Sequence, residues 1–210
     1  MDDTKRLQEI IRKLKRQYPE PATCLVYSKP FELLVATILS AQTTDAHVNK
    51  VTATLFKKYR SIADYASTPL ENLQNDLKSI NFYNNKAKNI QNSARMVLEK
   101  FAGVVPNTME ELILLPGVAR KTANIVLSSV YGINEGIAVD THVIRLSGLL
   151  GLTAFKDPVK IERDLMALAP KKDWAVLSHL LILHGRSVCK ARNANHAVCV
   201  ISHLCPSKDS

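Results

Sequence analysis

The chain has 210 residues, enough for one domain with a substantial core or for two small lobes. Its 28 lysines and arginines outweigh 19 aspartates and glutamates, and the formal net charge of +9 favours polyanionic partners such as nucleic acid. A solvated basic surface explains the charge equally well. No segment resembles a signal peptide or a membrane span, so we expect a soluble cytoplasmic protein that does not act at a membrane.

Apolar residues at helical spacing begin the chain and recur throughout it. Residues 5–18 place four apolar side chains on one helix face: Leu7, Ile10, Ile11 and Leu14. No stretch alternates with a period of two, no Asn-Gly hairpin occurs, and the chain has only 7 glycines. These features predict an all-α protein of about nine or ten helices.

Capping residues predict where several helices begin and end. Four predicted helix starts share a short polar side chain at the N-cap: Thr68, Thr108, Asp157 and Asp173. In the first two, Glu71 and Glu111 would complete a capping box. Gly185, after the run LSHLLILH, predicts a helix end.

The segment LPGVARKTA, residues 115–123, combines a turn with two adjacent cations. Pro116 and Gly117 separate two predicted helices, and the N–H groups that start the second helix would form an anion site. Arg120 and Lys121 would supply countercharge for a phosphate. Taken alone, the segment is more often an ordinary interhelical turn with two solvated cations.

Asp140, in IAVDTHVIRL, follows the turn by about twenty residues and is a predicted N-cap. A capping carboxylate accepts backbone N–H bonds and stays ionised. If the two helices pack together, the amine of Lys121 and this carboxylate would face one cleft.

Five separated motifs together resemble the endonuclease III family of DNA glycosylases, in the helix-hairpin-helix superfamily. In chain order they are SKPFELLVATILSAQTTD, FYNNKAKNI, LPGVARKTANIVL, AVDTHVIR and LILHGRSVC. The resemblance implies an all-α, two-lobed fold. A six-helix lobe would span residues 23–133, and a second lobe would combine 1–22 with 134–210 and carry a metal-cluster loop at 189–205.

The resemblance also implies an activity. Such enzymes excise oxidised pyrimidines from damaged double-stranded DNA in base excision repair and then cut the strand by β-elimination as AP lyases. We expect the chain to do this as a monomer. A related glycosylase for mismatched or alkylated bases, and a non-catalytic DNA- or metal-binding module, are the alternatives.

The family's catalytic lysine and aspartate fall on Lys121 and Asp140. Lys121 must be partly neutral to attack the sugar and form a Schiff base, and we expect burial and the neighbouring Arg120 to favour that form. Ionised Asp140 would stabilise positive charge on the sugar. A serine at position 121 would instead indicate a glycosylase without lyase activity.

Two further residues match positions that fill the gap left by an extruded nucleotide. They are Gln42, in the SAQ motif, and Phe82, ahead of YN, where the family usually has leucine. The phenylalanine would alter this wedge and the base opposite it. Taken alone, Phe82 fits a core aromatic and Gln42 an exposed helix-end amide.

The phosphate-binding hairpin of the family falls on residues 115–121, and the predicted DNA contacts within it are Leu115, Gly117, Ala119 and Arg120. Ala119 stands where the family commonly has glycine. If that position needs a left-handed backbone, alanine costs about 1 kcal/mol there. Asp45, in the motif QTTD, and His142, in AVDTHVIR, are expected to be structural or supporting residues rather than catalytic ones.

Cysteines crowd the last segment, in the pattern C-x6-H-x2-C-x5-C formed by Cys189, His196, Cys199 and Cys205. The family has a fourth cysteine at the position of His196 and holds a [4Fe–4S] cluster. We expect such a cluster with His196 as a ligand, because histidine ligation is known for iron–sulfur centres. A Cys₃His zinc site, a cluster on three thiolates, and no metal at all are the alternatives.

The loop between Cys189 and His196 carries two cations, Lys190 and Arg192. If a metal holds the loop rigid, both would contact DNA phosphates; otherwise they are solvated. Cys24 lies far from this segment in the sequence and is expected to be a buried thiol.

Overall fold

A computed structural model describes residues 2–208, and within them the regular structure is entirely helical, which confirms the predicted fold class. The α-helices are α1 (Asp3–Gln17), α2 (Pro30–Ser40), α3 (Asp45–Lys58), α4 (Ile62–Ser67), α5 (Leu70–Asp76), α6 (Tyr83–Lys100), α7 (Met109–Leu112), α8 (Arg120–Tyr131), α9 (Thr141–Leu149), α10 (Pro158–Leu168) and α11 (Trp174–Ser187). Short 3₁₀ turns lie between α10 and α11 at Lys171–Asp173 and after α11 at His196–Val198 and Ser202–Leu204. None of the described helices is long and apolar enough to cross a membrane.

The chain forms two compact units. The continuous unit is Cys24–Ile133, and the split unit joins Met1–Thr23 to Asn134–Ser210. The predicted functional lobes, with boundaries at 23–133, 1–22 and 134–210, stay a prediction.

The continuous unit is built around α2, which is buried from Phe31 to Leu39. A helix that is apolar on every side must be surrounded by others, and α3, α6 and α8 pack against it. Tyr65 is 1% exposed at the contact between α4 and the core. This central packing gives the helices that start at Tyr83 and Arg120 fixed directions.

The split unit buries the apolar face predicted for α1. Leu7, Ile10 and Leu14 are fully buried, and Ile11 is 3% exposed. They belong to a cluster with apolar residues of α9, α10 and α11. Arg6 adds polar ties, because its guanidinium donates to the carbonyl oxygens of Leu150 at 2.5 Å and Leu204 at 3.2 Å.

Two of the predicted N-caps are confirmed in full. Thr108 Oγ1 accepts from Glu111 N at 3.3 Å, and Asp157 Oδ1 accepts from Lys160 N at 3.0 Å. The Glu111 carboxylate accepts from the Thr108 hydroxyl at 2.9 Å rather than from the Thr108 backbone N–H, so the cap is confirmed but the capping box is not. Asp173 precedes α11, but it makes no capping bond and its carboxylate binds Lys15 at 2.6 Å instead.

The predicted cap at Thr68 is wrong by one residue. Pro69 is the N-cap of α5, and Thr68 ends α4. Pro69 has an extended backbone with ψ of 133°, so the helix starts only at Leu70. The Thr68 carbonyl is bound from the side by Gln91 Nε2 at 2.6 Å, a tertiary contact that local sequence does not show.

Two other predictions also fail for tertiary reasons. Gly185 lies inside α11, where a Cβ would come within 2.9 Å of His142 Nδ1 and 3.3 Å of Leu146 Cδ1. The glycine therefore allows α9 to approach α11 closely. Cys24 is exposed rather than buried, because it lies in the non-helical segment ahead of α2.

Candidate functional site

The turn between α7 and α8 is shaped by Gly117. Its φ of +81° is left-handed, and a Cβ there would come within 2.9 Å of Asn89 Nδ2 and 3.0 Å of Asn89 Cβ. Ser93 Oγ donates to the Pro116 carbonyl at 2.9 Å and holds the same turn from α6. Leu115 is 1% exposed, so its side chain belongs to the core. The predicted DNA contact of Leu115 is therefore restricted to its backbone.

Ala119 does not carry the strain that its sequence position suggested. Its φ of −94° and ψ of 169° are extended, a conformation that alanine adopts freely. The left-handed position of this hairpin is Gly117, two residues earlier. The glycine-to-alanine difference at Ala119 therefore costs no backbone strain.

The start of α8 is positive. Its N-cap, Ala119, offers no side-chain acceptor, and the first turn contains no acidic residue. Arg120 and Lys121 are both exposed there. Backbone N–H groups and the helix dipole add to the two cations, so the hairpin can hold an anion. The expected burial of Lys121 is wrong, because its side chain is exposed in the first turn of α8.

Gln42 and Phe82 are both exposed residues with left-handed backbones. Their φ values are 56° and 58°, and the Phe82 side chain is 62% exposed. Core packing is therefore excluded for Phe82. Asn81 links the two turns, because its Nδ2 donates to the Gln42 carbonyl at 2.6 Å.

Asp140 is the N-cap of α9, as predicted. Its Oδ1 accepts from His142 N at 2.8 Å and from Val143 N at 2.9 Å, and these two bonds fix the orientation of the carboxylate at the helix start. The segment that leads into Asp140 is fixed by two buried polar residues. Glu162 Oε1 accepts from Ile137 N at 3.1 Å, and Ser178 Oγ donates to Ala138 O at 2.7 Å.

His179, on α11, is electrostatically coupled to Asp140. Burial lowers the pKa of His179, and the negative charge of Asp140 opposes that shift. Sequence reasoning missed His179, Glu162 and Ser178. All three are polar residues within helices, and their role becomes visible only once the helices are placed.

Cys189, His196, Cys199 and Cys205 line one pocket in the split unit. The pocket has an empty volume of about 410 Å³, counting space open to solvent. His184 lies 1% exposed at its wall, with Nε2 3.5 Å from Cys199 Sγ. The structure thus brings the four predicted ligands to one place.

Two thiols of this pocket, those of Cys199 and Cys205, are disfavoured as anions, because both have raised pKa values. Burial raises the pKa of Cys199, and the neighbouring Cys189 and Cys205 raise it further. Burial also raises the pKa of Cys205, with a smaller contribution from Cys189. Thiolate ligands therefore need a nearby cation, and iron would supply one.

A donor set of three thiols and an imidazole suits iron–sulfur chemistry. Within residues 2–208, no group of three or more His, Cys, Asp or Glu side chains is placed to hold a metal ion. The residues present fit the cluster that the resemblance implies.

Comparison with known sequences identifies the family. The model of the HhH-GPD superfamily of base excision DNA repair proteins matches residues 35–171. Endonuclease III of Synechocystis is 52% identical over 202 residues, covering 96% of this chain and 92% of that protein. Endonuclease III of Escherichia coli K12 is 41% identical, covering 100% of this chain and 98% of that protein. The chain belongs to the endonuclease III family of DNA glycosylases.

Solved structures agree with this membership. A trapped endonuclease III–DNA covalent intermediate matches with a TM-score of 0.93 and 44% identity, covering 99% of this chain and 98% of that one. A thermostable thymine-DNA glycosylase matches with a TM-score of 0.86 over 97% of each chain, and at 22% identity it shows the shared fold alone. As a member of the endonuclease III family, the chain is a base excision repair enzyme.

Proposed function

We propose that this enzyme excises oxidised pyrimidines from duplex DNA and cleaves the resulting abasic site, with Lys121 as nucleophile. The observation that carries the proposal is the exposed Lys121 in the first turn of α8, directly after a glycine-dependent hairpin and at the family's catalytic position. A lysine at this position supplies the amine that a Schiff base requires.

The reaction follows from the chemistry of a primary amine. The Nζ of neutral Lys121 attacks C1′ of the damaged nucleotide, and the base leaves with the electron pair of the glycosidic bond and takes up a proton. Opening of the sugar ring gives an imine between Nζ and C1′. Removal of a C2′ proton then expels the 3′ phosphate, and water hydrolyses the imine to release Lys121.

Asp140 acts on the charge that develops during this sequence. Departure of the base leaves positive character on the sugar, which an ionised carboxylate stabilises. Its two backbone N–H bonds hold the Asp140 side chain in one orientation. Glu162 and Ser178 hold the segment before it, so the carboxylate needs little reorganisation during the reaction.

The hairpin at residues 115–121 binds DNA phosphates in this proposal. Gly117 shapes the turn, and Ala119 and Arg120 lead into the positive start of α8. Lys190 and Arg192 are exposed in the loop beside the thiol pocket and would add further phosphate contacts. The partner is damaged double-stranded DNA, which places the enzyme with the nucleoid in the cytoplasm.

Cys189, His196, Cys199 and Cys205 would hold a [4Fe–4S] cluster. When bound, the cluster supplies a cross-link that fixes the loop 189–205 and its two cations. Iron, acid-labile sulfide and zinc analysis of freshly purified protein tests this assignment. Stoichiometric iron and sulfide support it; zinc, or fully active protein without metal, contradicts it.

Trapping with borohydride tests the proposed activity. The enzyme is mixed with a duplex that carries one oxidised pyrimidine, and borohydride reduces any imine to a stable amine. We expect a covalent protein–DNA adduct with the wild type, none with Lys121→Gln, and an unchanged yield with Lys57→Gln, an exposed lysine of α3. An unchanged yield with Lys121→Gln would remove Lys121 from this role.

Comparing lesions tests the substrate class. Single-turnover excision is measured on otherwise identical duplexes with an oxidised pyrimidine, a mismatched thymine or an alkylated purine. We expect the oxidised pyrimidine to react fastest. Faster excision of either other base would assign the enzyme to a different substrate class while leaving the role of Lys121 intact.

A further inference from the structure

Three exposed residues of the continuous unit, Gln42, Phe82 and Ala102, have left-handed backbones that a side chain disfavours. Gln42, after α2, and Phe82, before α6, are left-handed with φ of 56° and 58°. A left-handed conformation is unfavourable for a residue with a Cβ, because the Cβ comes too close to the following carbonyl oxygen. Such strain persists only where surrounding contacts enforce it, and it concentrates at functional sites.

The first of these contacts comes from Lys86, a cation that the proposed reaction does not use. Lys86 lies on α6, is only 6% exposed, and burial lowers its pKa. Its Nζ donates to the carbonyl oxygens of Leu39 at 2.8 Å and Ala41 at 2.5 Å, and to Thr43 Oγ1 at 3.3 Å. These acceptors lie on both sides of Gln42 in the chain. Lys86 therefore binds the whole turn that presents Gln42.

The second contact comes from Asn81, which directly precedes Phe82. Its Nδ2 donates to the Gln42 carbonyl at 2.6 Å. On the other side of this turn, His47 Nε2 lies 2.9 Å from the Ser79 carbonyl, so α3 also holds the segment before Phe82. Asn81 thus joins the turn of Phe82 to the turn of Gln42, and His47 joins the segment before Phe82 to α3.

These contacts hold the two turns in a fixed arrangement relative to each other. Moving the turn of Gln42 would break the bond from Asn81 to the Gln42 carbonyl and the bonds from Lys86 to the residues on either side of Gln42. Moving Phe82 together with its neighbour Asn81 would break the first of these bonds. A side chain that enters a base stack loses less freedom if its backbone is already fixed. Both residues are exposed, so the bonds hold them without covering them.

We propose that Asn81 and Lys86 are positioning residues that hold Gln42 and Phe82 as a preformed double wedge, which enters paired DNA when a nucleotide is extruded. The inference rests on the proposed glycosylase function, and it assigns to Asn81 and Lys86 an effect on base extrusion rather than on bond cleavage. Their loss is felt only where a base pair must be opened. A substrate whose damaged base is already unpaired does not need the wedge.

The test compares Asn81→Ala with Asn75→Ala, an exposed asparagine of α5. Single-turnover excision is measured on two substrates, an oxidised pyrimidine in a fully paired duplex and the same lesion in a bulge without an opposite base. We expect Asn81→Ala to slow the paired substrate about tenfold and the bulged one by less than about twofold, as the loss of one positioning hydrogen bond predicts. Asn75→Ala should change neither rate.

Lys86→Met is the second variant, with Lys100→Met as a control that removes the same charge from an exposed position of α6. We expect Lys86→Met to slow excision from the paired substrate more than from the bulged one, as for Asn81→Ala, and Lys100→Met to change neither rate. Thermal melting shows whether each variant remains folded. An equal loss on both substrates in Asn81→Ala, or no loss on either, overturns the proposal, because a merely structural residue would not separate paired from bulged DNA.

Failure of the proposed function has a different signature. If the wild type excises neither substrate, the glycosylase assignment fails, and the wedge is then tested by binding alone. A duplex with an uncleavable abasic analogue and 2-aminopurine as the opposite base fluoresces more strongly when a side chain unstacks that base. We expect the wild type to raise the fluorescence and Asn81→Ala to raise it much less; equal responses would overturn the wedge proposal.

Discussion

The continuous unit and the split unit each present a candidate catalytic residue at the start of a helix, and they do so by different means. In the continuous unit, Lys121 follows a turn that depends on backbone conformation, with Gly117 left-handed against Asn89. In the split unit, Asp140 depends on polar side chains, with Glu162 and Ser178 holding its approach. The hairpin before Lys121 thus depends on a left-handed glycine and one hydrogen bond from Ser93, whereas the approach to Asp140 relies on hydrogen bonds from two buried polar side chains.

The end of the split unit shows this reliance most clearly. After α11, residues 189–208 contain only two 3₁₀ turns, and Ile201 is their single buried residue in the described chain. So little apolar burial cannot offset the entropy of ordering about twenty residues at more than 1 kcal/mol each. The hydrogen bonds from Arg6 to the Leu204 carbonyl and from Arg145 to the Cys189 carbonyl, together with the thiol pocket, tie this segment to the rest of its unit.

Removal of a proposed cluster thiol should have the largest of the predicted effects, and it should loosen the last segment of the split unit. Cys199→Ala is expected to purify with little iron and to be cleaved by trypsin in the segment with Lys190 and Arg192 at least about tenfold faster, since the segment loses its cross-link. Iron content and limited proteolysis measure this. Cys24→Ala, which removes an exposed thiol outside the pocket, should match the wild type; if both variants keep full iron, the ligand assignment is wrong.

Neutralising Asp140 should come next. Asp140→Asn keeps an N-cap acceptor but loses the negative charge, so we expect a fall in single-turnover excision of about 10²–10³-fold with little change in melting temperature. Asp140→Ala should lose the cap as well, at a further cost of about 1 kcal/mol in stability. Excision by Asp140→Asn at the wild-type rate would show that the charge is not used.

Changing the hairpin glycine should have a smaller effect. Gly117→Ala forces a left-handed alanine, which costs about 1–2 kcal/mol, and its Cβ meets Asn89. We expect lower stability in urea and weaker binding to undamaged duplex. The matched change Ala119→Gly sits at an extended N-cap and should shift stability by only about 0.5 kcal/mol. If Ala119→Gly has the larger effect, the left-handed position has been misassigned.

The smallest predicted effect concerns acid stability of the continuous unit. Backbone N–H groups of Ser61 and Arg60 lower the pKa of Asp64, at the start of α4. A lowered pKa stabilises the folded state above the ordinary value near 3.8, and the contribution is lost as the pH falls through the folded value. The melting temperature of Asp64→Asn should therefore lie below the wild type at pH 6 and approach it at pH 3. A gap that widens in acid would contradict the sign.

Local signals in the sequence predicted much of this molecule. The apolar face of α1 and the caps at Thr108, Asp140 and Asp157 depend on residues within one helical turn, and the structure confirms each. The three cysteines and His196 were recognised by spacing, and they line one pocket.

Features that depend on distant residues were predicted wrongly or missed. Lys121 and Cys24 were expected to be buried but are exposed, the first at the start of α8 and the second in the non-helical segment ahead of α2. Gly185 is explained by the close approach of α9, more than thirty residues away in the chain. The left-handed conformations of Gln42 and Phe82 could not be predicted from the sequence, because neither residue is a glycine. They are enforced by Asn81 and Lys86, contacts that only the folded chain reveals.

The most direct test locates the covalent bond. The borohydride-reduced adduct with an oxidised-pyrimidine duplex is digested with protease and nuclease, and mass spectrometry identifies the residue that carries the deoxyribose remnant. The account predicts Lys121, in the peptide that begins the α8 segment. A remnant on any other lysine, or on the N-terminal amine, would contradict it.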